Sequence, residues 1–389
     1  MIIIFWISIF LIVYTFVGYG LVLYILVKIK GIFKKPFVFR ANAPLPTVSI
    51  LVAAYNEEDI IEEKINNTLL LQYPKANIQL IFITDGSSDQ TAEKVKGFKD
   101  VLLLHENLRA GKMAAIKRAI PYITGEITVF TDANTFLNRD AINQLVKHYQ
   151  NPLVGAVAGE KRILVEKAAD ASSAGEGFYW KYESKLKKWD YALHSNVGAA
   201  GELFSIRTAL YQPVESDTII DDHMIAMRIA EKGFIIAYEP EAYAMETASE
   251  DVKEELKRKI RIAAGGIQSI LRLKKAANPF YQPVFTFQYI SHRVLRWTIT
   301  PFLLILVFVI NGLLAFTTPV AFYKVLFVLQ SLFYLLSLTG LYFERRNIRI
   351  KALFIPYYFC IMNYAVIAGI IRYYKKNQSA AWEKSKRKS

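Results

Sequence analysis

The chain has 389 residues, of which 53% are hydrophobic, and its formal charge is +14. The apolar stretches gather at the two ends around a middle of ordinary soluble composition, which favours one soluble domain with membrane spans over two soluble domains. The single cysteine, Cys360, excludes an internal disulfide and a cysteine zinc site, and no nucleic-acid-binding motif is present.

Residues 2–27 are apolar and exceed the ~20 needed to cross a bilayer. Lys28, Lys30, Lys34, Lys35 and Arg40 follow this run rather than precede it, which argues for a retained span leaving on the cytoplasmic side and against a cleaved signal peptide. Residues 28–46 form a basic, proline-punctuated linker. From 47 to 275, strand and helix patterns alternate. Strands are expected at 48–52, 78–83, 101–104 and 127–130, with helices at 60–71, from 90, and at 113–120. This is the pattern of an open α/β sheet, whose ligands gather at the carboxyl ends of the strands. Longer helices follow, with apolar strand-like runs at 154–158 and 234–238.

Residues 276–298 include an amphipathic helix suited to the membrane interface, with Phe287, Ile290, Val294 and Trp297 on one face and Gln288, His292 and Arg296 on another. The region 299–371 holds two or three further spans, and 372–389 is a basic tail expected to be mobile. If every apolar segment crossed, that tail would end outside, against the positive-inside tendency. The last segment, 352–371, is therefore expected to be re-entrant or interfacial.

Polar motifs stand at the strand ends. Ala53-Ala54-Tyr55-Asn56-Glu57-Glu58 follows the first strand, and Asp85-Gly86-Ser87-Ser88-Asp89 ends the second. A carboxylate beside a glycine turn accepts hydrogen bonds from a base or ribose, which suits Asp85; Asp89 reads as a helix cap. Arg109-Ala110-Gly111-Lys112 opens a helix, and a cation at a helix N-terminus makes an anion site fit for diphosphate. Thr131-Asp132-Ala133-Asn134 ends the fourth strand, where residues two apart face one side, so Asp132 and Asn134 can offer oxygens to one hard cation, Mg2+ or Mn2+. Asp221 and Asp222 open a later helix, and one of them can serve as general base. Arg258 and Arg261 share a helical face and suit a diphosphate or acceptor phosphate. Each motif also has a structural reading: an Asx turn, a helix start or a solvated face.

In this order and spacing the motifs resemble a membrane-bound family 2 glycosyltransferase in the cellulose and hyaluronan synthase-like branch. The resemblance covers residues 47–261 and continues loosely through Ser291–Trp297. It implies a GT-A fold, a Rossmann-like mixed α/β sheet with flanking helices, carrying α-helical transmembrane segments. It places the nucleotide-binding aspartate at Asp85, the metal motif at Asp132 and Asn134, the base at Asp222 beside Asp221, and the family's Q/R-x-x-R-W motif at Arg258–Ile262. Donor contacts are expected at Ala53, Tyr55, Glu57, Asp85, Lys112, Asp132, Arg258 and Arg261. The acceptor side is expected at Gly201 and Glu202, with Tyr179, Trp180, Tyr182 and Trp189 as aromatic surface. Two departures stand out: Asn134 replaces a carboxylate, and Ile262 replaces the tryptophan of processive members.

The expected activity is inverting transfer from a nucleotide sugar, a UDP-sugar by the resemblance, to a saccharide or lipid-linked acceptor, one sugar at a time. The expected place is the cytoplasmic membrane face of a multi-pass protein, with membrane lipid and polysaccharide-assembly proteins as partners. A polyprenyl-phosphate acceptor is the first alternative. The second is a non-catalytic nucleotide-binding transporter or scaffold.

Overall fold

The computed structural model describes residues 1–35, 37–40, 42–164, 171–247, 252–346, 348 and 350–376. The side chains of Tyr179 and Trp180 and the tail from 377 lie outside the described part. Helices α1 (Ile2–Val13) and α2 (Tyr19–Phe33) form one rod through a π turn at Tyr14–Gly18. The soluble domain begins β1 (Val48–Ala54), α3 (Ile61–Leu69), β2 (Ile78–Asp85), α4 (Thr91–Lys96), β3 (Leu102–Glu106), α5 (Lys112–Ala119) and β4 (Ile127–Asp132). It continues β5 (Phe136–Leu137), α6 (Ala141–Val146), β6 (Val154–Leu164), α7 (Ala171–Leu193), β7 (Phe204–Arg207), α8 (Asp221–Ala230), β8 (Ile235–Thr247) and α9 (Val252–Arg272). Then come α10 (Pro283–Tyr289), a second π turn (Ile290–Val294), α11 (Leu295–Trp297), α12 (Thr300–Thr317), α13 (Ala321–Glu344) and α14 (Lys351–Tyr374).

The strands form one mixed sheet in the order β3-β2-β1-β4-β7-β6-β8-β5. β1 to β4 are parallel, and β7 runs antiparallel to β4 and β6. All seven residues of β1 are buried, because helices cover both faces of the sheet; its apolar run is therefore continuous rather than alternating. Ile50 and Val52 pack with Ile61, Ile65 and Phe82 on one face, while Leu51 packs with Ile81, Ile116 and Phe130 on the other. The chain builds outward from β1 through β2 to β3, then returns to place β4 on the other flank of β1. That reversal opens a crevice at the carboxyl ends of β2, β1 and β4.

Three expectations need correction. β2 and β4 run two residues beyond their apolar stretches, so Asp85 and Asp132 are themselves strand residues. β6 and β8 are far longer than their apolar cores, since they pair in parallel out to Leu164 and Thr247 across irregularities near Ala158. The polar face of the 283–297 segment does not face headgroups: Gln288 and His292 are fully buried. Their partners are on α7, where His292 Nδ1 lies 2.5 Å from Asp190 Oδ2 and His292 Nε2 3.1 Å from Glu183 Oε1. Gln288 donates to the Asp190 backbone carbonyl at 2.7 Å. The two π turns meet here as well, with Tyr14 bonded to Ser291 at 2.8 Å and Tyr19 donating to Asp190.

Among the described residues, four helices are long and apolar enough to cross a membrane: Ile2–Phe33, Thr300–Thr317, Ala321–Glu344 and Ala352–Tyr374.

Candidate active site

Asp85 Oδ2 accepts the backbone N–H groups of Ala110 (2.9 Å) and Gly111 (2.6 Å), and Arg118 lies 3.4 Å from Oδ1. The carboxylate thus draws the 109–112 loop across the strand ends. The turn after it requires glycine: Gly86 has φ +68°, and a Cβ there would stand 2.6 Å from Arg109 Cβ. Arg109 stacks its guanidinium on the Tyr55 ring, 3.9 Å from the centroid. Ala53, Tyr55, Asp85, Arg109 and Lys112 are among the residues lining a pocket open to solvent at the strand ends.

Lys112, the first residue of α5, reaches from this pocket into a cluster of carboxylates. Its Nζ donates to Asp132 Oδ1 at 2.9 Å and lies 3.4 Å from Asp221 Oδ2. Gly201 faces the same point. A Cβ there would sit 3.4 Å from Asp132 Oδ2, 3.5 Å from Lys112 Nζ and 3.6 Å from Asp222 Oδ2, in ordinary contact with all three, so a side chain longer than a methyl would reach into the cluster. Burial works against the charge of Lys112, yet Asp132, Asp221 and Asp222 together outweigh it and hold the ammonium well above its usual range. Burial, and next to it the charge of Asp221, pushes the Asp222 carboxyl up to about 7, with Lys112 pulling the other way. A carboxylate poised there suits a general base near neutral pH. Both aspartates occupy the first turn of α8, where the helix dipole favours negative charge.

The other expected residues take varied places. Glu202 receives Lys161 at 2.8 Å and faces Arg258 at 3.7 Å; despite burial, these cations hold it well below the usual carboxylate range. Arg258 also faces Glu246 at 3.5 Å, and Lys161 pairs with that glutamate too. Arg261 donates to the Ile219 carbonyl at 3.2 Å, tying α9 to the start of α8. Glu57 is buried, and its N–H donates to Thr91 Oγ1 at 2.8 Å. Asp89 accepts the Thr91 N–H at 3.0 Å in an Asx turn one residue ahead of the helix cap, which is Gln90 rather than the expected Asp89. Asn134 lies in the turn that follows β4.

Sequence reasoning missed Lys64, a fully buried lysine of α3. Its Nζ donates to Thr131 Oγ1 at 3.0 Å and to the Thr135 carbonyl at 2.5 Å, from beneath the turn that carries Asp132 and Asn134. Thr131 Oγ1 in turn donates to the Glu202 carbonyl at 2.9 Å, which links that turn to the Gly201 loop. Burial pushes the Lys64 ammonium down to about 7, opposed by the charge of Asp132. A lysine among apolar helix positions was the available signal. Lys161 and Glu246 were also passed over, because only the fold brings them to the cleft.

Asp132 and Asn134 offer oxygen donors only, and Asp132 Oδ2 faces the Gly201 side of the cleft. Among the described residues no group of three or more His, Cys, Asp or Glu could hold a metal by itself. This donor set fits Mg2+ or Mn2+, which keep substrate oxygens in their shell, and it does not form a protein cage.

A family model described as "Glycosyl transferase family 2" matches residues 49–205. Poly-beta-1,6-N-acetyl-D-glucosamine synthase of Staphylococcus aureus (strain MSSA476) is 29% identical over 238 residues, 59% of this chain and 56% of that protein. The Staphylococcus epidermidis protein of the same name is 28% identical over 274 residues, 68% of this chain and 65% of that one. The chain thus spans less than two thirds of the length of these relatives. A mannosyltransferase from Pyrobaculum calidifontis, solved in complex with GDP-Man and Mn2+, superposes with a TM-score of 0.73 at 23% identity, over 96% of this chain and 100% of that one. With strand-end aspartates converging on a switch-point crevice, these matches establish that the chain carries a family 2 glycosyltransferase domain of the GT-A fold.

Proposed function

We propose that the protein is an inverting glycosyltransferase that moves a sugar from a nucleotide donor to an acceptor hydroxyl at a membrane face. The observation that carries this reading is the convergence of Asp132, Lys112, Asp221 and Asp222 around Gly201, beside the pocket walled by Tyr55 and Asp85. In this reading the nucleoside lies against Tyr55 and Asp85, and the diphosphate extends toward Lys112 and the N-terminus of α5. Asp132 and Asn134 would hold a divalent cation, which supplies charge neutralisation for the departing diphosphate. Asp222 accepts the proton of the acceptor hydroxyl while that oxygen bonds to the anomeric carbon; the bond to the nucleoside diphosphate breaks on the opposite face. Asp221 keeps Asp222 basic and helps hold Lys112.

The names of the relatives suggest donors to test: N-acetylglucosaminyl and mannosyl nucleotides. The test is transfer of labelled sugar by purified protein, wild type against Asp222→Asn. Full loss of transfer with donor binding kept supports the reading; turnover within a few-fold of wild type rejects it.

A lipid-linked acceptor is favoured over a free saccharide by one contact. Ile219 and Ile220, just before the catalytic pair, pack with Ala264, Trp297 and Tyr373, and Trp297 leads directly into the apolar helix α12. Asp222 therefore sits beside the apolar helices. Competition between a polyprenyl phosphate, a glycolipid and soluble oligosaccharides separates these acceptors.

A further inference from the structure

We propose that the chain crosses the bilayer three times, and that α14 lies in the headgroup layer on the catalytic-domain side, against anionic lipid. The membrane bundle has a far end and a near end. At the far end Phe5 packs with Leu314 and Tyr323, and Trp6 stacks on Phe322 at 5.7 Å. At the near end Thr300 bonds to Thr15 at 3.3 Å, and the adjacent Trp297 stands edge-on to His223 of α8 at 5.4 Å. α12 runs away from the catalytic domain and α13 returns alongside it, with Asn311 donating to Gln330 at 2.8 Å and Phe308 against Tyr334 at 5.1 Å. α13 has 24 residues against 18 in α12. At ~1.5 Å per residue its last turns reach the near end.

α14 starts where α13 finishes: a Cβ on Gly340 would lie 2.7 Å from the Leu353 carbonyl. If α14 then crossed, its last turn would stand beside Phe5 and Tyr323. Instead a Cβ on Gly369 would meet the Ile260 carbonyl and the Ala264 nitrogen of α9, each at 2.8 Å, and Tyr373 joins Ile219, Ile220 and Trp297. Both ends of α14 are therefore at the near end, so the helix runs across the bundle. Its neighbour α9 carries Lys257, Arg258, Lys259 and Arg261 beside the contact. Charges of that kind are costly at the bilayer centre, which keeps α9 and the end of α14 packed on it out of that depth.

The composition of α14 identifies what covers its outer side. Its exposed residues include Tyr364 and Tyr374, the residue type that prefers the membrane–water boundary. Arg345 and Arg346 precede it; Arg372, Lys375 and Lys376 close it. With three crossings these cations share one membrane face with Lys28, Lys30, Lys34 and Lys35; with four, Lys375 and Lys376 would be stranded on the other.

The test uses the full chain in a Cys360→Ser background, with single cysteines read by a membrane-impermeant maleimide in sealed vesicles of each orientation. Glu62→Cys reports the catalytic-domain side and Thr317→Cys the far side. Lys375→Cys labelling with Glu62→Cys is the expected result; labelling with Thr317→Cys overturns the proposal. A spin label at Tyr364→Cys, midway along α14, reads depth independently of sidedness. Headgroup depth is expected, and a position at the bilayer centre overturns the proposal. Neither readout depends on glycosyl transfer, so failure here leaves the catalytic reading intact.

Discussion

At the scale of single residues, the cleft is a problem of like charges. Asp132, Asp221 and Asp222 crowd around Gly201, and Lys112 is the cation that makes this tolerable. Asp222 must be ionised to accept a proton, and with its carboxyl near 7 in the free protein, kcat/KM should fall as pH drops through about 7 and level off above it. Asp221→Asn removes the neighbouring charge that raises Asp222, so it should move this limb to lower pH, measured from the pH profile of transfer. Asp222→Asn should lower transfer about 10²–10⁴-fold while donor affinity stays near wild type in a binding titration. Asn134→Asp restores a second carboxylate beside Asp132 and should lower the Mn2+ concentration needed for half-maximal activity. EDTA should abolish transfer, and activity surviving in chelator would remove the metal from the proposal. Asp132 was legible because it ends an apolar strand, where a polar side chain has no role in the core, and Lys112, Asp221 and Asp222 because each opens a helix after a loop or an apolar run. Lys64 and Lys161 were not legible, because they lie within their elements and only tertiary contacts show what they hold.

At the scale of elements, the parallel half of the sheet was visible in its continuous apolar runs, since strands buried on both faces have no alternation to lose. The antiparallel return through β7 was not, because a four-residue strand carries too little pattern to stand out from a loop. The 283–297 segment misled for a physical reason: amphipathicity says that two faces differ, not which face is buried. Two predictions belong here. Lys64 fixes the turn after β4 from α3, and its folded pKa of about 7 lies below the ~10.4 of an exposed lysine. Between those values the unfolded chain binds more protons than the folded one, so stability should rise with pH from about 7 to 10. Lys64→Met should flatten that rise in melting curves. Gly369→Leu forces a side chain into the α9 backbone, and overpacking of this kind costs ~1–3 kcal/mol. Thermal denaturation should show the loss, with transfer reduced because α9 also carries Arg258 and Arg261.

At the scale of the whole molecule, hydropathy located every apolar segment but could not say which of them crosses, since a tyrosine-rich helix lying flat has nearly the composition of one standing upright. The resolving information lies in what each end of a helix touches. The same holds where the first rod meets the soluble domain. Tyr19 donates a hydroxyl hydrogen bond to buried Asp190, which also faces His292; Glu183, two helical turns away, receives His292, Arg293 and Arg296. Against burial, His292 and Arg293 keep Glu183 well below the ordinary carboxylate range. The leading helix is thus a wall of the enzyme as much as its tether. Trimming it away to obtain a soluble fragment would strip buried Asp190 of one of its hydrogen-bond donors, a loss on the order of 1–3 kcal/mol. Purification strategies that keep the amino-terminal helix in detergent or nanodiscs should yield folded material where excised catalytic fragments aggregate.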